Sequence, residues 1–425
     1  MKALFIKTPI PMLKDDALEP DMGLLYVATY VQKHVDMNVK CVDLSVDSLQ
    51  KLFEESDGAD IFCFSTFTAN YYLTVELKNK IKEYKRGKGI YIAGGHHVSA
   101  LPKEVKKDFD YVITGEGEIV MKELFQAILE GRELPNKIIE GKIIQDLNVI
   151  DDINYDLVDI DKYTRIVNGK KALSILTSRG CPYKCEFCNS TLSKDGRHVR
   201  YKSAQKVFNE IMALNKKYGI NAFRIQDDIF SINRRRLNEM ADLLEDYHFD
   251  FRCFARIDNI DDEIIENFKR IGVRHISFGI ESGSQKILNL MNKGLNVEIV
   301  KKNLVKIMEE GFMVRIFLIV GYPGETYETL QETINLVKEC HPHEVSVYPL
   351  IPYPGTPLYN TPQKYDITYI DPDFSKYYQI YGDKQSGYVF ETSQLSIDTI
   401  KEMREYLMDS IKDCCTWAID SEENV

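Results

Sequence analysis

Long apolar runs are missing from this chain. No stretch approaches the ~18 residues that mark a membrane-spanning helix, and the best of them, 316–322, is short and follows Arg315. The first residues carry one early lysine and a short apolar run, too little for a signal peptide. A positive charge balance is missing too, with 54 Lys and Arg against 65 Asp and Glu, a net charge of −11. This argues against a nucleic-acid partner, because proteins that grip a phosphate backbone carry a basic face. Internal repeats and low-complexity segments are absent, and an apolar fraction of 44% with 28% charged residues excludes disorder and collagen-like structure. The chain also lacks the paired cysteines of a secreted disulfide scaffold. Its nine cysteines are an odd number spread over 425 residues, as expected for a protein of the reducing cytoplasm.

What is present is a long α/β alternation. Residues 1–120 place short apolar runs at Lys2–Ile6, Val39–Leu44, Ile61–Thr66, Gly89–Gly95 and Tyr111–Gly115, with helical patterns at 23–34, 47–55, 70–86 and 118–131. Continuous apolar strands alternating with helices predict a doubly wound, Rossmann-like parallel sheet, taken as a first domain over 1–140. Residues 141–170 read as a connector. A second series, 171–360, has strands at Leu173–Arg179, Ala222–Asp228, Phe251–Asp258, His275–Ser282, Met313–Val320 and Glu344–Ile351. Six βα repeats are fewer than a closed barrel needs, so a partial, open (β/α)6 barrel is expected. Residues 361–425 form an extension rich in tyrosine (Tyr365, Tyr369, Tyr377, Tyr378, Tyr381, Tyr388), with one amphipathic helix near 397–412.

Both sheet types bind ligands at the carboxyl ends of their strands. In the first domain those ends carry Thr8, the hydroxyls of Ser65, Thr66 and Thr68, the run Gly94-Gly95-His96-His97, and Gly115-Glu116-Gly117-Glu118. In the second they carry Cys181 onward, Asp227-Asp228, Arg256, Glu281-Ser282 and the turn Gly321-Tyr322-Pro323-Gly324.

Cys181-Pro-Tyr-Lys-Cys185-Glu-Phe-Cys188 is the most informative feature: C-x3-C-x2-C on a loop directly after a strand. Three thiolates so close together can hold three irons of a four-iron cluster and leave the fourth open. An open metal position distinguishes a reactive site from a closed structural one. A four-cysteine zinc site is the alternative, but such sites pair two C-x2-C knuckles, and Cys414-Cys415 are adjacent. An electron-transfer cluster completed by a distant cysteine such as Cys253 is another.

The cysteine run at the first strand of a partial barrel resembles the radical S-adenosylmethionine (SAM) superfamily. Arg256-Ile-Asp-Asn-Ile, Gly279-Ile-Glu281-Ser282-Gly-Ser, Lys293-Gly294, Gly321-Tyr-Pro-Gly-Glu-Thr326 and Pro354-Gly-Thr-Pro-Leu-Tyr359 resemble its subgroup with an N-terminal cobalamin-binding domain, as do Gly23-Leu-Leu-Tyr-Val-Ala, Gly94-Gly-His-His97 and Gly115-Glu-Gly-Glu118. The resemblance covers about residues 1–360. It implies a 4Fe-4S cluster on Cys181, Cys185 and Cys188, with SAM on its open iron. Phe187, Asp227, Asp228, Arg256, Glu281, Ser282, Gly321 and Pro323 would surround SAM, Phe187 beside its adenine, Arg256 on its carboxylate, and Glu281 and Ser282 at its ribose. The Gly-Gly-Glu run that many members present to the SAM amine is absent; Asp227 and Asp228 stand in its place. Ser65, Thr66, Thr68, Gly94, Gly95, His97, Gly115 and Glu116 would bind cobalamin. The Asp-x-His-x-x-Gly run that gives other cobalamin proteins a histidine for cobalt is also absent.

The implied function is reductive cleavage of SAM to a 5′-deoxyadenosyl radical and functionalisation of an unactivated C–H bond, with C-methylation of a metabolite, lipid or peptide as the first expectation. Electrons would come from a low-potential ferredoxin or flavodoxin. A non-methylating rearrangement, cyclisation or dehydrogenation is the alternative. A transfer-RNA methylthiotransferase fits less well, since residues 1–150 contain only Cys41 and Cys63 where that class carries three cluster cysteines. A non-catalytic metal-stabilised module has no need of the polar strand-end residues. Cys41, Cys63 and Cys340 read as buried small hydrophobes, Arg234-Arg-Arg236 as a solvated helix start, and Trp417 as packing the last helix.

Overall fold

In the computed structural model, the structure describes residues 1–10, 16–189, 198–378 and 387–417; Tyr381 lies outside them. Six parallel strands, β1 (Lys2–Lys7), β2 (Asn38–Asp43), β3 (Ile61–Ser65), β4 (Ile90–Gly94), β5 (Tyr111–Thr114) and β6 (Ile138–Glu140), form the first sheet in the order β2-β1-β3-β4-β5-β6. The order reverses between β1 and β3, the switch point at which such sheets open a ligand crevice. Helices α1 (Met22–His34), α2 (Leu49–Ser56), α3 (Tyr71–Tyr84), α4 (His96–Ala100), α5 (Pro102–Val105) and α6 (Glu118–Leu129) cover its faces. Asp21 starts α1 by accepting the Leu24 amide at 2.9 Å. Strand β6 was not foreseen, because Ile138–Glu140 is a short, only partly buried edge.

The second sheet has eight strands. Two short strands, β7 (Ile166–Val167) and β8 (Lys170–Ile175), pair antiparallel. Beyond β8 come β11 (Ala222–Ile225), β12 (Asp250–Ala255), β13 (Val273–Glu281), β14 (Met313–Val320) and β15 (Glu344–Pro349), all parallel to it. The edges β7 and β18 (Thr416–Trp417) do not pair among the described residues, so the expected open (β/α)6 barrel is what forms. The backbone of Trp417 lies in that edge strand, paired with Val345 of β15. Outside the sheet, β9 (Ser178–Arg179) pairs with β10 (Arg200–Tyr201), and β16 (Ile367–Ile370) with β17 (Phe390–Thr392). The barrel helices are α7 (Ala204–Tyr218), α8 (Arg234–Leu244), α9 (Asp262–Ile271), α10 (Gln285–Leu290), α11 (Val297–Glu309) and α12 (Tyr327–Cys340), followed by α13 (Pro357–Asn360) and α14 (Ile397–Ile411). Thr326 and Thr329 close a capping box on α12. No helix among the described residues is long and apolar enough to cross a membrane.

The two sheets share one apolar core: α1 and α6 pack through the 144–155 segment onto barrel residues such as Leu173 and Val207. The opposite face of the first sheet is covered in part by the C-terminal extension, with Phe374, Tyr377 and Val389 buried against its α3 side. The two units are therefore held on both flanks by buried apolar surface. Cys41, Cys63 and Cys340 are buried within these cores, as expected.

Candidate functional site

The cysteine loop leaves β8 through Thr177 and Ser178, and a single buried carboxylate fixes its root. Asp227, fully buried after β11, accepts bonds from Thr177 N at 2.6 Å, Thr177 Oγ1 at 2.5 Å, Ser178 N at 2.9 Å and Ser178 Oγ at 2.5 Å. Arg236 lies 3.5 Å from the same carboxylate and donates to the Thr177 carbonyl at 2.8 Å. Arg236 is thus a buried partner of the loop, not a solvated helix residue. Further along, Glu186 N donates to the Met291 carbonyl at 3.0 Å, Asn292 Nδ2 to the Lys184 carbonyl at 3.0 Å, and Tyr365 of the extension to Glu186 at 2.6 Å. Arg256 stacks on the Tyr183 ring at 3.6 Å while donating to Asp258 at 2.8 Å and to the Lys293 carbonyl at 2.6 Å. The described part of the loop is thus held at its root by Asp227 and Arg236 and further along by the 291–292 segment, Arg256 and the extension's Tyr365.

The thiols on this loop influence one another. Burial pushes the Cys181 thiol up to about 11, with Asp228, Cys188 and Cys185 adding to the effect. Burial also raises Cys185, against the pull of Lys293 and Arg256. Two thiols whose ionisation burial opposes, on one loop with Cys188 and beside a buried ammonium and a guanidinium, form a donor set that a cationic cluster would relieve on binding. Among the described residues no three His, Cys, Asp or Glu side chains are gathered around a single-ion position. A four-iron cluster instead spreads its thiolates over separate irons.

The other strand-end residues divide into those that face the mouth and those that do not. Asp228 is solvent-accessible yet walled in, and its carboxyl is raised by burial and by Asp227, with His96 acting against this. Asp227 has its oxygens engaged by the loop, so the expectation that both aspartates are presented to SAM is corrected: of the two, Asp228 is the one left open to the mouth. Arg256 is likewise occupied as a clamp on Tyr183. Lys293, part of the Lys293-Gly294 motif but given no role by the sequence, places its ammonium 2.8 Å from Glu281 Oε1 and 5.7 Å from the centre of the Phe187 ring. Its charge is upheld against burial by Glu281 and Cys185. Ser282 is fully buried, with its hydroxyl 3.2 Å from Thr333 and accepting the Ser284 amide at 3.1 Å, so it braces the strand end internally.

Gly321 has φ +85°, and a Cβ there would come 2.8 Å from Ile400 Cγ2, so the Gly321–Pro323 turn demands glycine. Glu325 supports that turn, accepting the Gly321 amide at 2.6 Å. Its burial lifts the carboxyl to about 8. Folding therefore favours the protonated acid, and stability should fall as pH rises from the ordinary carboxyl range toward 8. Glu325→Gln should flatten this part of the pH–Tm profile and raise Tm at pH 8; an unchanged profile would remove Glu325 as its source.

The first domain presents its carboxyl edge to the same space. Thr66 Oγ1 donates to the Gly94 carbonyl at 3.0 Å, pinning the β3 and β4 ends together. Gly95 (φ +107°) passes so close that a Cβ would lie 2.6 Å from the Thr66 carbonyl oxygen. Gly95→Ala should cost roughly 1–3 kcal/mol from strained backbone and collapse this edge, read as a lowered Tm; an unshifted Tm would contradict the close approach. Glu116 forks onto Arg200 and lies 3.5 Å from Arg179, and Glu118 binds Arg179 at 2.5 Å. Those arginines sit on β9 and β10, which bracket the cysteine loop, so these ion pairs set the first domain against it. A family model described as the radical SAM superfamily matches residues 175–337, and one described as a B12 binding domain matches residues 12–125. The chain belongs to the cobalamin-binding radical SAM proteins.

Relatives and solved structures agree. An uncharacterized methyltransferase of Pyrococcus horikoshii is 29% identical over 363 residues, covering 80% of this chain and 78% of that one. An anaerobic magnesium-protoporphyrin IX monomethyl ester cyclase of Rubrivivax gelatinosus is 27% identical over 64% of this chain, which spans about half (52%) of the cyclase. The fold matches the radical SAM methyltransferase TsrM from Kitasatospora setae, with cobalamin and a 4Fe-4S cluster bound, at TM-score 0.66 and 18% identity over 84% of this chain and 74% of TsrM. It matches the cobalamin-dependent SAM radical enzyme OxsB, with aqua-cobalamin bound, at TM-score 0.74 and 16% identity, over 97% of this chain and 67% of OxsB.

For a cobalamin-binding radical SAM protein, the placement of the two histidines matters. His97 is fully buried, 4.4 Å from the Tyr71 ring and 4.9 Å from Phe374, and burial lowers it to about 4. Its Nδ1 lies 3.3 Å from Thr68 Oγ1, which is therefore also turned inward. His96, one position along, is exposed, stacks on Phe67 at 6.0 Å and acts on Asp228. The expectation of His97 as a cobalamin contact is thus corrected: His96 faces the cleft. Gly115 has open space where a Cβ would stand, whereas Glu116 is engaged by arginine.

Proposed function

We propose that the protein methylates an unactivated carbon of a metabolite, lipid or peptide, using SAM, a 4Fe-4S cluster and cobalamin. The observation that carries this reading is the opposition of the two strand-end sets. The Glu116 and Glu118 ion pairs with Arg200 and Arg179 hold the first domain's carboxyl edge over the cysteine loop, where His96 and Asp228 share one cleft. When bound, these cofactors supply electron transfer, hydrogen abstraction and methyl delivery. The chain's residues bind and orient. Cys181, Cys185 and Cys188 hold the cluster, Lys293 faces the SAM carboxylate with Phe187 and Glu281 beside it, and Asp228 faces the SAM amine. Ser65, Gly94, His96 and Gly115 line the cobalamin side.

The relative named as a cyclase favours non-methylating radical chemistry as a second reading. The working compartment is the cytoplasm, and a low-potential ferredoxin or flavodoxin is the electron donor. Anaerobic incubation of the holoprotein with reductant, S-methyl-deuterated SAM and a cell metabolite extract tests the choice. Methylation requires a deuterated methyl in a product that disappears from controls without cobalamin. Release of 5′-deoxyadenosine with no labelled product would favour the second reading.

A further inference from the structure

Side chains alternate along a strand, so every second residue of the barrel strands points into the lumen. On β12, β14 and β15 the outward residues Cys253, Ala255, Ile316, Leu318 and Val347 are buried in the core shared with the helices. Their neighbours Phe254, Phe317 and Tyr348 point inward, and all three are half-buried. Phe254 stacks on Phe317 with ring centres 6.1 Å apart and an interplanar angle of 29°, and Phe317 stacks on Tyr348 at 6.3 Å and 18°. The three near-parallel rings form a shelf across the lumen. Strand β13 offers only Ser277 opposite Phe254 and Gly279 opposite Phe317, so no bulky side chain from that strand breaks it.

The shelf is open toward the cofactor cleft. Two residues earlier on β12 and β14, Arg252 and Arg315 line a cavity of about 330 Å³ at the N-terminal ends of the strands. None of the three rings lines that cavity, and no apolar core among the described residues includes them. The surface they leave accessible is therefore on the other side, toward the carboxyl ends of the strands and Cys181. Above the shelf stands the Glu281–Lys293 pair: a Cβ on Gly279 would meet Glu281 Oε1 and come 3.1 Å from Lys293 Nζ. The side chains assigned to SAM thus rest one residue layer above Phe317. At the Phe254 end, Arg224 holds its guanidinium 5.3 Å from the ring, with Glu19 2.5 Å away as its counter-charge. What the shelf offers is ring surface rather than charge.

Apolar burial alone would suit any greasy group, but aromatic faces and edges add a preference for another flat ring. We propose that the substrate carries a flat unsaturated ring, which lies on the Phe254–Phe317–Tyr348 shelf beneath SAM. That assignment rests on the methylation reading above and gives its cleft a substrate class.

Equilibrium dialysis on the holoprotein, reconstituted with cluster, cobalamin and SAM, tests it with 2-naphthalenemethanol and its fully saturated counterpart as probes. Burial alone favours the saturated skeleton, which has the larger apolar surface. The shelf should reverse that order, the aromatic alcohol binding about threefold or more tighter. Phe317→Leu keeps an apolar side chain but removes the central ring, and should erase the preference with cluster absorption and circular dichroism unchanged. Phe254→Leu should weaken the preference from the end of the shelf. Equal or weaker binding of the aromatic alcohol, no saturable binding of it, or an undiminished preference in both variants would overturn the proposal. Methyl transfer is read separately, in the labelling experiment above. A deuterated product without an unsaturated ring would overturn the role of the shelf and leave methylation standing. Release of 5′-deoxyadenosine with no labelled product would set methylation aside, and the dialysis would still decide the shelf.

Discussion

Cluster content and SAM cleavage are expected to fall to background when Cys181, Cys185 and Cys188 are all replaced by alanine. The other cysteines cannot substitute. Cys41, Cys63, Cys253 and Cys340 are buried in the cores, and burial raises the thiols of Cys41, Cys63 and Cys253 far above the range in which they would ligate. Cys414 and Cys415 lie after α14, on the chain leading to the β18 edge. Iron and sulfide content, the broad iron–sulfur absorption and 5′-deoxyadenosine release after anaerobic reconstitution measure the effect. The fold should survive, because the loop is held at its root by Asp227 and Arg236 and along its length by Met291, Asn292 and Arg256, none of which bonds through a thiol. SAM cleavage retained by the triple variant would dispose of the cluster assignment.

Much of this architecture is visible in the bare sequence, for a physical reason. Strands buried on both faces read as continuous apolar runs, so β1, β3 and β14 stand out, as does the dense C-x3-C-x2-C loop. What stayed hidden is which of two neighbours faces the cleft. Asp227 and Asp228, or His96 and His97, are chemically equivalent in a sequence, yet adjacent residues diverge in direction, and here one of each pair enters a closed network and the other the open mouth. Long-range charge pairing is hidden as well. Nothing in the spacing couples Glu116 to Arg200, or Lys293 to Glu281 and Phe187, since those contacts are made by the fold. The sequence also gives no sign of the polar lumen. Arg252 and Arg315 interrupt otherwise apolar strands, and only the strand register sets them around one cavity.

Asp227 offers the sharpest test of that distinction. Its carboxylate accepts four bonds from Thr177 and Ser178 and faces the buried Arg236. In Asp227→Asn the amide nitrogen can only donate, yet it would meet donors, and Arg236 would lose its counter-charge in a fully buried position. Removing one member of a buried, hydrogen-bonded pair costs about 3–5 kcal/mol. Asp227→Asn should therefore lower Tm by several degrees and, because the loop root loosens, reduce cluster occupancy even in protein that remains folded. Asp228→Asn, one residue away but facing the cleft, should leave Tm and cluster content near those of the parent and act on SAM affinity instead, measured by equilibrium binding to the reconstituted protein. Were the two variants to behave alike in Tm, or Asp227→Asn to retain a full cluster at parental stability, Asp227 would not be the anchor of the loop. The position of Cys181 relative to the first domain would then depend on the Arg179 and Arg200 ion pairs alone.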